Sequence, residues 1–441
     1  MEDTEISDSF KYNYVDRPTH RGQESPTQRQ GFLDDHIAGD LFFGDNRETF
    51  GPSNSTDRRH RHTVKKPSLI AALSPSNSIS LWQACDILWA VHRLMIPHDI
   101  MTSSTLTVNA STGVELSYID SGAPAQASYI TIFAIHGVIF TKEIFQRVID
   151  LAPSKGVRFV ALNRRHFPGT TPLSSEELVI TQTGGNGDSQ RDALVEARGH
   201  EIALFIDVFV QKFNLPSISS GGGVALLGWS LGATFALIGI SSVDTLPEDV
   251  HRRLNEYMRS LILYEPPPTA LGLPTRKQNW TFLLDTTVPE NLRLPAFGQW
   301  CTSYFDHADI VGRDLDKLSW VLASPSRTPT FFNGMPVSIQ RYGEDAATDV
   351  PFVFFSSKQI LAAYRKAFFD PGVFPSMKRA FVCGDKTCAL CIACLWAVQD
   401  DEKELRTADA KAVRYRIIPG ANHFVHWDDP EKALDVFIAM A

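Results

Sequence analysis

The chain has 441 residues, of which 43% are hydrophobic and 10% aromatic, and this apolar content is enough for a sizeable folded core. Its formal net charge of −8 at pH 7 argues against nucleic acid and against an anionic membrane surface as partners. The acidic start, MEDTEISDSF, lacks the apolar stretch of a secretory signal, so we expect a cytoplasmic protein with reduced cysteines.

The N-terminal part of the chain divides into two segments of different composition. Residues 1–77 are rich in polar and charged side chains without a sustained hydrophobic period, which predicts a disordered extension. In residues 78–100, SISLWQACDILWAVHRLM carries apolar side chains at helical spacing, which predicts an amphipathic helix. Asp86, His92 and Arg93 interrupt this helix and it is short for a bilayer, so we expect no membrane span.

The first strand that bears on chemistry is predicted at Tyr129 to Ile135, YITIFAI, because it is rich in β-branched and aromatic residues. His136-Gly137-Val138 follows directly. A glycine after a strand allows backbone amides to turn toward a neighbouring group, so the Val138 N–H is a candidate donor to an oxyanion. We expect His136 to be a loop-packing residue.

Residues 224–240, VALLGWSLGATFALIGI, place a serine between two glycines at the end of an apolar strand. The apolar runs on either side predict a buried strand and then a buried helix, with Ser230 on the turn between them. Such a nucleophile elbow needs small residues two positions away on each side, and Gly228 and Gly232 meet that need. The N–H of Leu231 is the second candidate oxyanion donor, because it lies at the start of the helix.

A serine nucleophile requires a base, and a carboxylate that orients the base. Residues 378–383, KRAFVC, predict a strand that ends at Gly384-Asp385, and an earlier strand, LILYE, ends on Glu265 before three prolines. Chain order and strand position favour Asp385 as the acid. Glu265 is the alternative, and Asp385 could instead cap a helix that begins near Thr387.

The C-terminal segment VRYRIIPGANHFVHWDDPEKALDVFIAM predicts a strand, a loop and a closing amphipathic helix. His423 lies in the loop, and a histidine downstream of a nucleophile elbow in such a loop suits a general base. His426 lies nearer to the closing helix and is the competing candidate.

From about Leu106 to the C-terminus, the chain resembles the α/β-hydrolase superfamily. The resemblance rests on His136-Gly137, Gly228 to Gly232, Gly384-Asp385 and Gly420 to His423. The first of these is similar to the single HG oxyanion motif of a group that includes esterases, thioesterase-like enzymes and carbon–carbon bond hydrolases. Asn163-Arg164-Arg165 is similar to a form found in uncharacterised fungal serine hydrolases.

The resemblance implies an α/β-hydrolase fold, in which helices flank a mostly parallel central sheet and a helical lid is inserted before the strand that bears the acid. Residues 101–277 and 378–441 would form the two parts of the core. Residues 278–377 would form the lid, in which some aromatic side chains would line a pocket and most would pack the lid itself.

The implied activity is hydrolysis of a carboxylic ester or a related acyl bond, with Ser230 as nucleophile, His423 as base and Asp385 as acid. The implied partner is a small hydrophobic ester-like substrate. Acyl transfer and carbon–carbon bond hydrolysis on the same triad are alternatives. So is non-catalytic ligand binding, because a fold does not guarantee its chemistry.

Cysteines are clustered near the predicted acid, at Cys383, Cys388, Cys391 and Cys394. Their spacing is compatible with a metal site. The apolar residues between them, however, predict a buried helix in which cysteine acts as a small hydrophobic residue. Thiols at every third position drift around a helix and converge poorly, so the sequence predicts no metal and no cofactor.

Overall fold

The computed structural model describes residues 103–274, 280–332, 334–335 and 348–441. The disorder predicted for residues 1–77 and the helix predicted within residues 78–100 lie outside these ranges. Within the ranges, no helix is long and apolar enough to cross a membrane.

An eight-stranded sheet lies at the centre of the described chain, with strand order β1-β2-β4-β3-β5-β6-β7-β8. The strands are β1 (Ser104–Asn109), β2 (Val114–Asp120), β3 (Thr131–Ile135), β4 (Arg158–Leu162), β5 (Val224–Trp229), β6 (Met258–Tyr264), β7 (Lys378–Gly384) and β8 (Arg414–Ile418). The β1–β2 and β2–β4 pairs are antiparallel, and the other pairs are parallel. The predicted mostly parallel sheet is therefore confirmed.

The central strands are apolar without alternation because both of their faces are covered. Every residue of β3, β4 and β5 is buried, as expected for parallel strands between layers of helices. The carboxyl ends of the parallel strands meet at one edge of the sheet, so the loops that follow β3, β5, β6, β7 and β8 lie close together.

Helices flank this sheet. They are α1 (Gln146–Leu151), α2 (Ser175–Thr183), α3 (Asp188–Phe213), α4 (Gly232–Ser241), α5 (Glu248–Tyr257), α6 (Glu290–Cys301), α7 (Asp349–Phe355), α8 (Ser357–Phe369), α9 (Ala389–Leu405), α10 (Val425–Asp428) and α11 (Pro430–Met440). Helix α4, which follows the predicted elbow, is buried from Gly232 to Ile240 and contacts α3, α8 and β5. This position explains its uninterrupted apolar sequence.

The segment between β6 and β7 contains α6, α7 and α8. Between α6 and α7, the described residues form turns and the short 3-10 helices Leu315–Lys317 and Thr330–Phe332. In the described part of the predicted lid, residues 278–377, helices alternate with turns and irregular segments.

Candidate active site

Ser230 lies on a tight turn between β5 and α4. Its backbone φ is 55°, a left-handed conformation that costs energy for any residue with a side chain and that clusters at functional sites. A Cβ atom on Gly228 would lie 2.5 Å from Ala233 Cα, and one on Gly232 would lie 2.3 Å from Ile135 O. Neither position has room for a side chain, so both glycines of the motif are required by packing.

The loop after β3 lies directly against the serine, since a Cβ atom on Gly137 would be 3.0 Å from Ser230 Cβ. Burial lowers the pKa of His136 well below its usual value, so this ring is neutral. Its Nδ1 donates to Gly137 O at 2.9 Å and its Nε2 accepts from Arg164 N at 3.4 Å. His136 therefore holds the loop in shape, in line with the packing role predicted for it.

The Gly137 carbonyl also accepts a hydrogen bond from Arg164 Nη2 at 3.2 Å. Because a trans peptide points its N–H opposite to its C=O, fixing this carbonyl also fixes the direction of the Val138 N–H. In the described part of the chain, the backbone N–H groups of Val138 and Leu231 donate no hydrogen bond. Both predicted oxyanion donors are thus unpaired in the described residues, and the Val138 N–H is also held in direction.

Arg164 is a structural residue of this site whose contacts the sequence did not indicate. Its guanidinium donates to both carboxylate oxygens of Asp349 on α7, at 2.6 Å each, and lies between the rings of Phe167 and Phe235. It therefore links the loop after β3 to the segment between β6 and β7. The only feature of the sequence that pointed to Arg164 was the resemblance of Asn163-Arg164-Arg165 to a family motif.

His423 lies in the loop after β8, as predicted, and is held there by contacts from two directions. Trp229 Nε1 donates to His423 O at 3.1 Å. The neighbouring Asn422 Nδ2 donates to Thr302 O at 3.0 Å and to Thr330 Oγ1 at 2.8 Å. These bonds fix the backbone of the loop, and therefore the position from which the imidazole extends.

The carboxylate beside His423 belongs to Glu265, whose Oε2 lies 3.2 Å from His423 Nδ1. Glu265 is fully buried, and its φ of 56° turns the chain sharply where β6 ends. Its Oε1 accepts from Gly384 N and its Oε2 from Thr387 Oγ1. These two donors hold the buried side chain of Glu265 in place and satisfy its oxygens without exposure to water.

Asp385, the predicted acid, has a different partner. It is partly exposed and its Oδ1 accepts from Gly420 N at 2.6 Å, which fastens the start of the loop that carries His423. The preference for Asp385 over Glu265 therefore does not match the geometry, since the structure pairs His423 with Glu265. The 278–377 segment consequently follows the strand that ends on this carboxylate, and does not precede it.

His426, the competing base candidate, is fully buried among aromatic rings. Its Nδ1 lies 3.0 Å from Tyr264 Oη, and burial lowers its pKa well below the usual value. It is therefore a neutral packing residue. His423 and Ser230, by contrast, keep 5% and 7% of their surface exposed.

The sequence pattern of the alpha/beta hydrolase family matches residues 132–436, which include the serine, the histidine and both carboxylates. The chain belongs to this family. No curated protein sequence matches it.

The chain is similar to several solved structures, among them the following three. A bromoperoxidase from Bacillus anthracis is 12% identical, with a TM-score of 0.44, 77% of this chain covered and 99% of that one. An esterase from Exiguobacterium antarcticum is 14% identical, with a TM-score of 0.42 and coverages of 77% and 98%. A putative aryl esterase from Burkholderia cenocepacia is 11% identical, with a TM-score of 0.43 and coverages of 77% and 97%. Identities this low carry no information about substrate.

Aromatic side chains pack beside His423. The Phe140 ring centroid lies 5.7 Å from that of Trp229, 6.4 Å from that of Phe331 and 5.1 Å from that of Phe424. The His423 ring lies 5.3 Å from Trp229 and 5.5 Å from Phe424. An apolar wall, formed by Phe140, Trp229, Phe331 and Phe424, therefore lies beside His423, and all of these side chains except Phe331 are buried.

Two of the clustered cysteines converge on the same histidine. Cys388 Sγ lies 3.6 Å from Cys391 Sγ, and Cys391 Sγ lies 3.5 Å from His423 Nδ1. The prediction that these thiols converge poorly is therefore wrong for this pair, because Cys388 is the N-cap of α9 and has an extended backbone. A hydrogen bond from Cys391 lowers the pKa of Cys388 to about 7, whereas burial raises that of Cys391.

Proposed function

We propose that this protein is a serine hydrolase that cleaves a carboxylic ester or a related acyl bond. The observation that carries this proposal is the 3.2 Å contact between His423 Nδ1 and the buried Glu265, next to a strained turn that bears Ser230. A nucleophile, a base and a buried carboxylate in this arrangement are the three groups that acyl transfer through serine requires.

Glu265 would hold the Nδ1–H tautomer of His423, which leaves Nε2 as the proton acceptor. Nε2 takes the hydroxyl proton as Ser230 Oγ attacks the acyl carbon, and the Glu265 carboxylate stabilises the imidazolium that forms. The proton then passes to the leaving alcohol. In the second half of the reaction, His423 Nε2 takes a proton from water, whose oxygen attacks the acyl-serine and releases the acid.

The developing oxyanion would bind to the N–H groups of Val138 and Leu231. Both amides lack partners in the described residues, and the first is held in direction by the bonds that His136 and Arg164 make to the preceding carbonyl. Donors that are oriented before the reaction need no reorganisation when charge develops, and each can contribute several kcal/mol to the barrier reduction.

The substrate class follows from the surroundings of the base. The apolar wall of Phe140, Trp229, Phe331 and Phe424 favours a small hydrophobic acyl or alkyl group over a charged one. Asn422 ties the histidine loop to Thr302 and Thr330, which supports placing the predicted lid, residues 278–377, beside the reacting atoms. A lid in this position favours short to medium acyl chains.

Labelling with a fluorophosphonate probe tests the proposal, because only an activated serine attacks phosphorus at a useful rate. We expect the full-length protein to be labelled at Ser230, and we expect Ser230→Ala and His423→Ala to lose the label. A panel of nitrophenyl esters of increasing acyl length should show turnover that falls for long chains. A folded wild-type protein that neither takes the label nor hydrolyses any ester would refute the hydrolase and favour a ligand-binding role.

A further inference from the structure

Two sulfur atoms and one imidazole nitrogen converge in the interior beside the proposed catalytic groups. Cys388 Sγ, Cys391 Sγ and one ring nitrogen of His423 all lie within 4.8 Å of one another, and all three residues are buried. In the described residues, Cys391 Sγ also contacts Glu265 O at 3.2 Å. Neither thiol has a part in the acyl-transfer steps described above.

Two of the three distances between these atoms match those of a tetrahedral zinc site, and the third, between Cys388 Sγ and the His423 ring nitrogen, is no more than 4.8 Å. Two sulfurs about 2.3 Å from a tetrahedral Zn²⁺ lie about 3.8 Å apart, and a sulfur and an imidazole nitrogen lie about 3.6 Å apart. The observed separations are 3.6 Å between the sulfurs and 3.5 Å between Cys391 Sγ and His423 Nδ1. The two observed separations would therefore need to change by only a few tenths of an ångström for these atoms to bind an ion.

The local fold explains why the atoms converge. Cys388 precedes α9 with an extended backbone, whereas Cys391 lies in its first turn, so the change of backbone conformation turns both thiols to the same side. Lys386 N donates to Ala421 O at 2.9 Å, which brings the loop that carries His423 against the start of α9. The three groups thus come from the start of α9 and from the loop after β8, both at the carboxyl edge of the sheet.

We propose that Cys388, Cys391 and His423 Nδ1 form a binding site for a thiophilic divalent cation such as Zn²⁺. The negative charges of two thiolates would offset the charge of the divalent ion, which lowers the free-energy cost of burying it. Binding releases the two thiol protons to solvent. Thiolate and imidazole ligands select Zn²⁺ or Cd²⁺ over Mg²⁺ and Ca²⁺, which prefer oxygen.

This site would control the hydrolase, a consequence that rests on the proposed function. Catalysis needs a proton on His423 Nδ1, directed at Glu265, and a free electron pair on Nε2. A cation on Nδ1 displaces that proton, and the neutral ring then carries its proton on Nε2. Such a ring cannot accept the proton of Ser230, so the metal-bound protein would be inactive until the cation leaves.

Spectroscopy on the full-length protein tests the site without any activity measurement. Protein freed of metal with a chelator, under reducing conditions, is titrated with Cd²⁺ and separately with Co²⁺. We expect a thiolate-to-cadmium absorption band and the intense visible bands of tetrahedral cobalt, each saturating at about one ion per chain. The absence of saturable bands in a folded protein would overturn the site.

Serine variants of the cysteines assign the ligands. Cys388→Ser should fold normally, because serine is a favoured N-cap residue, and should weaken Cd²⁺ binding by at least about tenfold, as should Cys391→Ser. Cys394→Ser is the matched control, since this thiol lies in the same helix but outside the converging group, and it should bind like the wild type. Binding that survives in both Cys388→Ser and Cys391→Ser would overturn the assignment.

The regulatory consequence needs its own measurement. We expect Zn²⁺ to slow fluorophosphonate labelling of the wild type by at least about tenfold, reversibly by chelation, and to leave the labelling rate of Cys388→Ser at its own zinc-free value. Zinc binding without slower labelling would overturn the link to catalysis. Labelling that fails even in zinc-free protein would refute the proposed function, whereas the spectroscopic titration would still support or overturn the metal site.

Discussion

Glu265 and Asp385 occupy corresponding places at the ends of the neighbouring parallel strands β6 and β7, yet they have different partners. Glu265 is buried and faces His423 Nδ1. Asp385 is half-exposed and accepts from the backbone of Gly420. The comparison shows that sheet topology brings acidic residues to the same edge, whereas backbone conformation and side-chain length decide which one reaches the base.

The largest effects should come from Ser230→Ala and His423→Ala. Their losses in kcat are the reference against which the variants of Glu265 and Asp385 are compared. Ser230→Ala and His423→Ala should each lower kcat for a nitrophenyl ester by about four to six orders of magnitude, because the triad acts as a unit. Circular dichroism should show an unchanged fold. Substantial turnover in purified Ser230→Ala would contradict the mechanism altogether.

Glu265→Gln should follow closely, with a loss in kcat of about 10⁴-fold. An amide in this place can donate to His423 Nδ1, which stabilises the wrong tautomer of the imidazole. The measurement is kcat beside KM, and we expect KM to change little because the substrate does not touch this residue. Glu265→Asp keeps the charge but shortens the side chain, so partial activity in that variant would show that reach and charge both count.

Asp385→Asn should cost no more than about tenfold in kcat, because an amide oxygen still accepts from Gly420 N. Asp385→Ala removes the acceptor and should lower the free energy of unfolding by about 1–3 kcal/mol, measured by urea denaturation. A loss of activity in Asp385→Asn as large as that in Glu265→Gln would reverse the comparison and restore Asp385 as the acid.

The smallest effect should be seen in Trp229→Phe, which removes the hydrogen bond from Nε1 to His423 O. We expect kcat to fall by about three- to tenfold, in keeping with the loss of one neutral hydrogen bond. Trp300→Phe is a suitable control, since Trp300 Nε1 also donates to a backbone carbonyl, but to that of Trp320 and not to the histidine loop. Equal losses in the two variants would show that Trp229 has no special role in positioning His423.

The sequence predicted those parts of the site that depend on local pattern. Ser230 could be located because an apolar strand, a glycine-flanked turn and an apolar helix follow one another within a short segment. His423 could be located from its loop after the last strand. The mostly parallel sheet, by contrast, was implied by the resemblance to the α/β-hydrolase superfamily.

The sequence could not predict contacts that depend on distant segments. Glu265, and not Asp385, faces His423 because its backbone has a positive φ and because Gly384 and Thr387 donate hydrogen bonds to its carboxylate. These donors are more than a hundred positions away in the sequence. Cys388 was assigned to a helix that begins one residue later, and that small boundary error hid the convergence of its thiol on Cys391.

The bonds from Asn422 to Thr302 and Thr330 have a consequence for engineering. If the proposed function holds, exchanging the segment between β6 and β7 is one way to alter the acyl preference. In this chain, that exchange would also remove the two acceptors that brace the loop next to His423. A transplanted segment therefore has to bring a carbonyl and a hydroxyl to the same two places. Otherwise the loop that carries His423 will shift.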